Sequence, residues 1–144
     1  MTLEAIKAAI PHREPFLLLD EIVEQTKDRI VCRKTFTGDE FWYRGHYPHF
    51  PITPGVILCE AAMQAGAVLL AGLLEPEPNA VPVATRANNV QFKKMVKPGD
   101  TVLIEAQLTE RLSGAFFLNA RVTLEGKVAV RLDFACTLAK TEVS

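Results

Sequence analysis

The sequence predicts an α+β domain in which an antiparallel sheet of about six strands wraps around one long central helix. Residues 56–74 are apolar on every face of a helix, which is typical of a helix buried inside the protein. Apolar alternation then returns in four segments separated by turn residues, a pattern that favours antiparallel hairpins. With 144 residues, the chain is expected to form a single domain, residues 1–144.

The remaining elements follow from local signals along the chain. A short amphipathic helix is predicted at 3–10, where Pro11 ends it. The loop 37–55 contains three prolines, which exclude regular helix and central strand. The long helix is expected to begin with Thr53 as its N-cap and Pro54 at its first position. Strands are predicted at 16–24, 29–36, 81–92, 101–111, 115–125 and 128–138.

Composition excludes several classes of function. The net charge of −1 gives no overall basic field for nucleic acid. The three cysteines lack Cys-x-x-Cys spacing, which indicates reduced thiols rather than disulfides or a zinc site. Neither metal-ligand spacing nor a glycine-rich phosphate loop is present, so we expect no metal and no cofactor. The amino terminus lacks a basic leader followed by an apolar core, and we expect a cytoplasmic protein.

The apolar segment 56–74 is long enough to be considered as a membrane span. Glu60 and Gln64 would then lie in hydrocarbon, and the flanks carry Pro and Glu rather than Lys and Arg. We therefore expect no membrane insertion.

Glu60 is the first candidate catalytic residue, because it is the only charged side chain in this apolar segment. A carboxylate in apolar surroundings is costly, so the neutral acid becomes accessible. Gln64 lies four residues later on the same helical face and can orient the carboxyl group. A polar stripe that faces a subunit interface or solvent would produce the same spacing.

His46 is the second candidate, held between Gly45 and Pro48 in a constrained loop. An imidazole in such a loop can act as a general base near neutral pH. A loop histidine that merely packs or caps is the alternative, and His49 is a competing candidate. His12 is interpreted as structural.

Gly55 is a candidate oxyanion donor near the start of the long helix. Its amide is one of the unpaired donors of the first turn, and the helix dipole favours negative charge there. A base, an acid and an oxyanion donor thus lie within fifteen residues. This combination supports elimination or hydration beside a carbonyl group.

Three blocks of the sequence resemble the (3R)-hydroxyacyl-acyl-carrier-protein dehydratases of the FabZ type, and together they cover nearly the whole chain. They are IPHREPFLLLDEIVE (10–24), GHYPHFPITPGVILCEAAMQAG (45–66) and VQFKKMVKPGD (90–100). The resemblance implies the hot-dog fold, homodimers that often assemble further as a trimer of dimers, and reversible loss of water from a 3-hydroxyacyl thioester without a cofactor.

The resemblance also assigns roles by position. His46 matches the catalytic histidine, Glu60 the catalytic acid, Gly55 the glycine whose amide polarises the thioester carbonyl, and Gln64 the glutamine beside the acid. We expect His46 to remove the C2 proton while Glu60 protonates the departing C3 hydroxyl. The sequence leaves open the reverse assignment of the two proton transfers.

The catalytic block departs from the family pattern at several positions. His49 and Phe50 stand where Gly-Asn is usual, and Thr53 replaces a large apolar residue. We expect Phe50 and Val56 to contact the substrate, and we expect the changed loop to alter the chain-length preference.

Two further predictions concern partners. The active site is expected to be shared between the two subunits of a homodimer, because one curled sheet does not readily cover a helix that is apolar on all sides. An acidic acyl carrier protein is expected to dock on a basic stretch without acidic residues, formed by Arg86, Lys93, Lys94 and Lys97. A solvated strand edge is the alternative interpretation of that stretch.

Two other functions are compatible with the same residues. A hot-dog thioesterase would use the helical acid to activate water. A non-catalytic protein would bind acyl thioesters without turnover.

Overall fold

Six strands and two α-helices form most of the chain that the computed structural model describes, residues 2–74 and 80–140. The helices are α1 (Leu3–Ala9) and α2 (Gly55–Ala71), and a short 3₁₀ helix (Phe41–Arg44) precedes α2. The strands are β1 (Glu21–Gln25), β2 (Arg29–Thr35), β3 (Ala80–Phe92), β4 (Thr101–Leu112), β5 (Ala115–Leu124) and β6 (Lys127–Lys140).

All six strands belong to one antiparallel sheet with the order β1-β2-β4-β5-β6-β3. The hairpins β4–β5 and β5–β6 close through the turns Ser113-Gly114 and Glu125-Gly126, in which every central residue has a positive φ. Turns of this kind match the right-handed twist of the flanking strands. The sheet curls around α2, which contacts β2 to β6. The hot-dog fold expected from the sequence is therefore confirmed.

Helix α2 is buried along most of its length. Small side chains let the sheet approach closely, since a Cβ atom on Gly66 would lie only 2.7 Å from the ring of Phe134. Val56 in the first turn is the exception, with 69% of its surface exposed, and Glu60 one turn later is partly exposed. One side of the helix therefore lacks cover within a single chain. None of the helices in the described ranges has the length and apolarity needed to cross a membrane.

The two edges of the sheet differ. Strand β1 has only five residues, and a short edge strand offers few backbone groups for pairing. Strand β3 has thirteen residues, with register shifts between Ala84 and Arg86 and between Asn88 and Gln91. Within the described ranges it pairs only with β6, and residues 83–89 are exposed without interruption. The free side of β3 thus offers a long row of backbone groups to a further strand.

The first strand is shorter than the predicted 16–24, because β1 begins only at Glu21. Residues 17–19 are buried consecutively rather than alternately. The N–H of Leu18 donates to Oε1 of Gln64 on α2 at 2.8 Å. A side chain of the central helix therefore accepts a backbone hydrogen bond that a neighbouring strand would otherwise accept. The other predicted strands match the observed bounds to within two residues.

The prediction that Thr53 caps the long helix is wrong. The N-cap is Pro54, whose carbonyl accepts the N–H of Ile57 at 2.9 Å. The hydroxyl of Thr53 instead lies 2.6 Å from the hydroxyl of Tyr43. Helix α2 begins at Gly55 with no side-chain cap from the described residues, and it ends three residues before the predicted position 74.

Candidate active site

The loop between the 3₁₀ helix and α2 holds His46 in a defined orientation. Its Nδ1 atom lies 3.0 Å from the carbonyl oxygen of Ile52. Because a carbonyl can only accept, Nδ1 carries a proton, and in a neutral imidazole the free lone pair is then on Nε2. Tyr47 has a φ of 51°, which is uncommon for a residue other than glycine, and its ring packs edge-on against the imidazole at 4.8 Å. In its neutral form the ring therefore presents Nε2 as its hydrogen-bond acceptor.

Two backbone amides at the start of α2 are free to bind an anion. Within the described part of the chain, the N–H groups of Gly55 and Val56 donate to no protein acceptor, as expected for the first turn of a helix. Partial positive charge accumulates at this end of the helix. Glycine at position 55 also has a packing reason, because a Cβ atom there would overlap the ring of Phe92.

His46, Gly55 and Val56 line the same cleft, which has a volume of about 780 Å³. This size is in the range of cavities that hold small ligands. Phe50, the other predicted substrate contact, is exposed on the loop and does not line the cleft of a single chain. Most of the remaining wall is apolar and comes from Tyr47, Ile52, Pro54, Leu58, Phe92, Met95 and Val130.

Glu60 lies in a second, smaller pocket of about 220 Å³, and its side chain is 26% exposed. Its Oε2 atom accepts a hydrogen bond of 3.1 Å from Nε2 of Gln64. Gln64 is only 1% exposed, and its amide group also binds the backbone of Phe16 and Leu18, both at 2.8 Å. Because these bonds fix its rotamer, Gln64 is placed to orient the carboxyl group of Glu60.

His46 and Glu60 line different cavities of the single chain. Gly55 and Glu60 are five positions apart on α2, which corresponds to about 140° around the helix axis. Strand β3 links the two cavities: residues 82–84 line the pocket of Glu60, and Phe92 lines the cleft of His46. The two halves of a candidate catalytic pair therefore lie near opposite ends of β3.

His12 is the residue whose position the sequence did not indicate. Its Nε2 atom lies 3.8 Å from Oε2 of Glu60, and both side chains line the same pocket. The two residues are far apart in the sequence, so spacing carried no signal of this contact. His49, the competing candidate for the base, is exposed and has no hydrogen-bond or ion-pair partner in the described ranges.

The four residues of the predicted basic stretch lie at three separate sites in the structure. Lys93 and Lys94 line the cleft of His46, Arg86 lines a different pocket together with Asp133, and Lys97 lies in the turn before β4. All four side chains are exposed, and none forms an ion pair with a described residue. Among the described residues, no three His, Cys, Asp or Glu side chains are grouped as metal ligands.

Comparison with known proteins identifies the family. The model of the FabA-like domain matches residues 10–133. The chain belongs to the FabA-like family. The 3-hydroxyacyl-acyl-carrier-protein dehydratase FabZ of Solibacter usitatus is 35% identical over 142 residues, which cover 99% of this chain and 88% of the relative. The corresponding FabZ of Clostridium perfringens is 38% identical over 129 residues, with coverages of 90% and 92%. These matches confirm the resemblance to FabZ-type dehydratases that the sequence indicated.

Solved structures share the fold of this FabA-like chain at low sequence identity. The dehydratase heterocomplex ApeI:P from Xenorhabdus doucetiae matches with a TM-score of 0.77 and 16% identity, covering 94% of this chain and 91% of the other. A hypothetical thioesterase with coenzyme A from Streptococcus pneumoniae matches with a TM-score of 0.66 and 13% identity, with coverages of 85% and 88%. At these identities the similarity supports the fold alone.

Proposed function

We propose that this FabA-like chain dehydrates 3-hydroxyacyl thioesters to trans-2-enoyl thioesters in acyl-chain synthesis, with His46 and Glu60 as its acid-base pair. The observation that carries the proposal is the His46 cleft, where a fixed basic nitrogen faces the same space as free helix amides. FabZ relatives over nearly the whole chain support the reaction. We place the reaction in the cytoplasm, where the three free cysteines remain reduced.

The proposed reaction needs three groups around the thioester. Nε2 of His46 removes the proton from C2, and the protonated Glu60 transfers its proton to the C3 hydroxyl, which leaves as water. The amide of Gly55 binds the thioester oxygen as it gains enolate charge, so this interaction is stronger in the transition state than in the ground state. The His46 imidazole is suited to the basic role because its other nitrogen already donates to Ile52.

Two chains are required to bring the acid to the base. We propose that two β3 strands pair antiparallel across a two-fold axis near Ala87 and join two sheets into one. Antiparallel pairing places the Phe92 end of one β3 against residues 82–84 of the other. The cleft of His46 then faces the partner's Glu60, and the exposed Val56 becomes covered. Each site takes its histidine from one chain and its acid from the other.

The test co-expresses His46→Ala and Glu60→Gln chains that carry different tags. Each variant alone should lose about 10²–10⁴-fold in rate, as expected when a general acid or base is removed. Hydration of a crotonyl thioester, followed as loss of its enoyl absorbance, should return in the mixed dimer, since one of its two sites has both residues intact. If the residues meet within one chain, every site keeps a defect and mixing restores no activity.

A matched control reverses the logic. A chain with both changes, His46→Ala and Glu60→Gln, is paired with a wild-type chain. With shared sites, each site of this mixed dimer has one defect and the dimer is inactive. With sites inside single chains, the wild-type chain stays active.

The same assay distinguishes the two other functions. Release of free thiol from the thioester would indicate hydrolysis instead, and binding without turnover would indicate a non-catalytic protein.

We further propose that an acidic acyl carrier protein delivers the substrate to the two lysines at the cleft, Lys93 and Lys94. Both are exposed beside His46, and no ion pair among the described residues neutralises them. Such surface charge steers an oppositely charged partner and is screened by salt. Arg86 and Lys97 lie away from this cleft and are secondary contacts in the proposal.

Charge reversal separates carrier docking from an effect on the chemistry. Lys93→Glu and Lys94→Glu should raise the KM for carrier-bound substrate, and added salt should weaken the wild-type interaction. The KM for a small thioester analogue should not change. Lys127→Glu, at the exposed first residue of β6, is the matched control and should leave both values unchanged. An equal effect of the cleft variants on both substrates would contradict docking at these lysines.

A further inference from the structure

We propose that His12 is a positioning residue, which holds the carboxyl group of Glu60 so that its proton resides on Oε1 and faces the substrate. This inference rests on the proposed role of Glu60 as the acid. It assigns a function to a histidine that the sequence pattern indicated as structural.

The first argument is the arrangement around one carboxylate oxygen. Oε2 of Glu60 lies 3.1 Å from Nε2 of Gln64 and 3.8 Å from Nε2 of His12. Two nitrogen atoms thus approach the same oxygen, and the second distance closes to a hydrogen bond with a small movement of either side chain. Protonation of an oxygen that already accepts from two donors is unfavourable, because the added proton competes with those donors for the oxygen lone pairs. In the neutral acid the proton is therefore left on Oε1.

The second argument concerns the other nitrogen of the ring. Nδ1 of His12 is buried and has no hydrogen-bond partner among the residues that the structure describes. A proton on Nδ1 would create a buried donor without an acceptor, which is more costly than an unused lone pair. The favoured tautomer of His12 therefore carries its proton on Nε2, the atom that faces Glu60. The imidazole is a directed donor rather than a general basic group.

The third argument is the rigidity of the segment that holds the ring. The guanidinium group of Arg13 donates to the carbonyl oxygens of Lys7, Ile10 and His12 at 2.7–2.9 Å. After His12, the chain is next fixed to α2 at Phe16 and Leu18, whose backbone groups bind the side chain of Gln64. Both donors to Glu60 are thus set in place by the same loop, which lies outside the long helix. The loop positions the acid although it contributes no reacting atom.

The test compares His12→Leu with His12→Gln, since a glutamine amide can place a donor near the former Nε2. His12→Leu should lower kcat for enoyl-thioester hydration by about tenfold, less than the 10²–10⁴-fold expected for loss of the acid itself. KM and the unfolding midpoint should stay near wild type. His12→Gln should recover most of kcat. Equal losses in both variants, or a kcat loss that follows a loss of stability, would overturn the proposal.

A second measurement excludes a merely structural role. In the Glu60→Gln background, His12→Leu should cause no further loss of the residual rate, because two residues that act through one group are not additive. A further tenfold loss there would refute the coupling. If Glu60→Gln itself retains wild-type activity, the proposed acid is wrong. If Glu60→Gln is inactive while His12→Leu is fully active, only the positioning role fails.

Discussion

Replacement of Gln64 by leucine tests whether one buried amide links the fold to the candidate acid. Gln64→Leu keeps the side-chain volume close to native but removes three hydrogen bonds. The buried N–H of Leu18 would lose its acceptor, which costs about 1–3 kcal/mol. The partly exposed carbonyl of Phe16 can recruit water and costs less. We expect a net loss of about 2–3 kcal/mol in the free energy of unfolding, which is a large share of the 5–15 kcal/mol typical of a domain.

The assay is urea denaturation at a fixed protomer concentration, because subunit association would otherwise change the apparent stability. The midpoint should fall by about 1 M for an ordinary denaturant slope. Gln107→Leu, an exposed glutamine on β4, is the control and should change stability by less than about 0.5 kcal/mol. Gln64→Leu should also reduce hydration activity, because Glu60 loses a donor. Equal midpoints for the two variants would refute the reasoning about Gln64.

Three further predictions concern other parts of the molecule. Burial raises the pKa of Cys32 to about 12 and that of Cys136 to about 11. Iodoacetamide at pH 8 should therefore modify both thiols far more slowly in the native protein than after unfolding. Comparable rates of modification would contradict their burial. Burial opposes ionisation of Glu40, but the N–H groups of Thr37 and Gly38 lower its pKa below 4.5, so Glu40→Gln should destabilise the protein at pH 7 by about 0.5–1 kcal/mol. That difference should disappear as the pH falls through the lowered pKa, and a constant difference down to pH 3 would exclude the carboxylate. Phe50→Asn should change the relative hydration rates of short and long enoyl thioesters at unchanged stability, and an identical chain-length profile would remove Phe50 from the substrate path.

The sequence was sufficient for the fold because burial of α2 and alternation in the strands follow from side-chain chemistry alone. It was insufficient where two local signals competed. Thr53 has the right chemistry for an N-cap, but its hydroxyl pairs with that of Tyr43, a contact that helix-capping patterns do not include. Residues 17–19 have apolar character typical of a strand, but the N–H of Leu18 donates to the side-chain oxygen of Gln64 on α2 instead of to a neighbouring strand.

The candidate site could be predicted only in part. His46, Glu60 and Gly55 were indicated because each combines a reactive group with an unusual local setting. That the first two line separate cavities of one chain depends on how β3 crosses the molecule, which spacing along the sequence does not encode. The contact between His12 and Glu60 likewise arises from tertiary packing, and no periodicity reports it.

The length of β3 has a consequence for how the protein can change over time. In the proposed dimer the length of the strand determines the distance between the base of one chain and the acid of the other. Removing two residues from its exposed middle would shift one end against the other by about 7 Å, although each separate core would remain filled. Selection on β3 would therefore act on its length more strictly than on the identity of its exposed side chains.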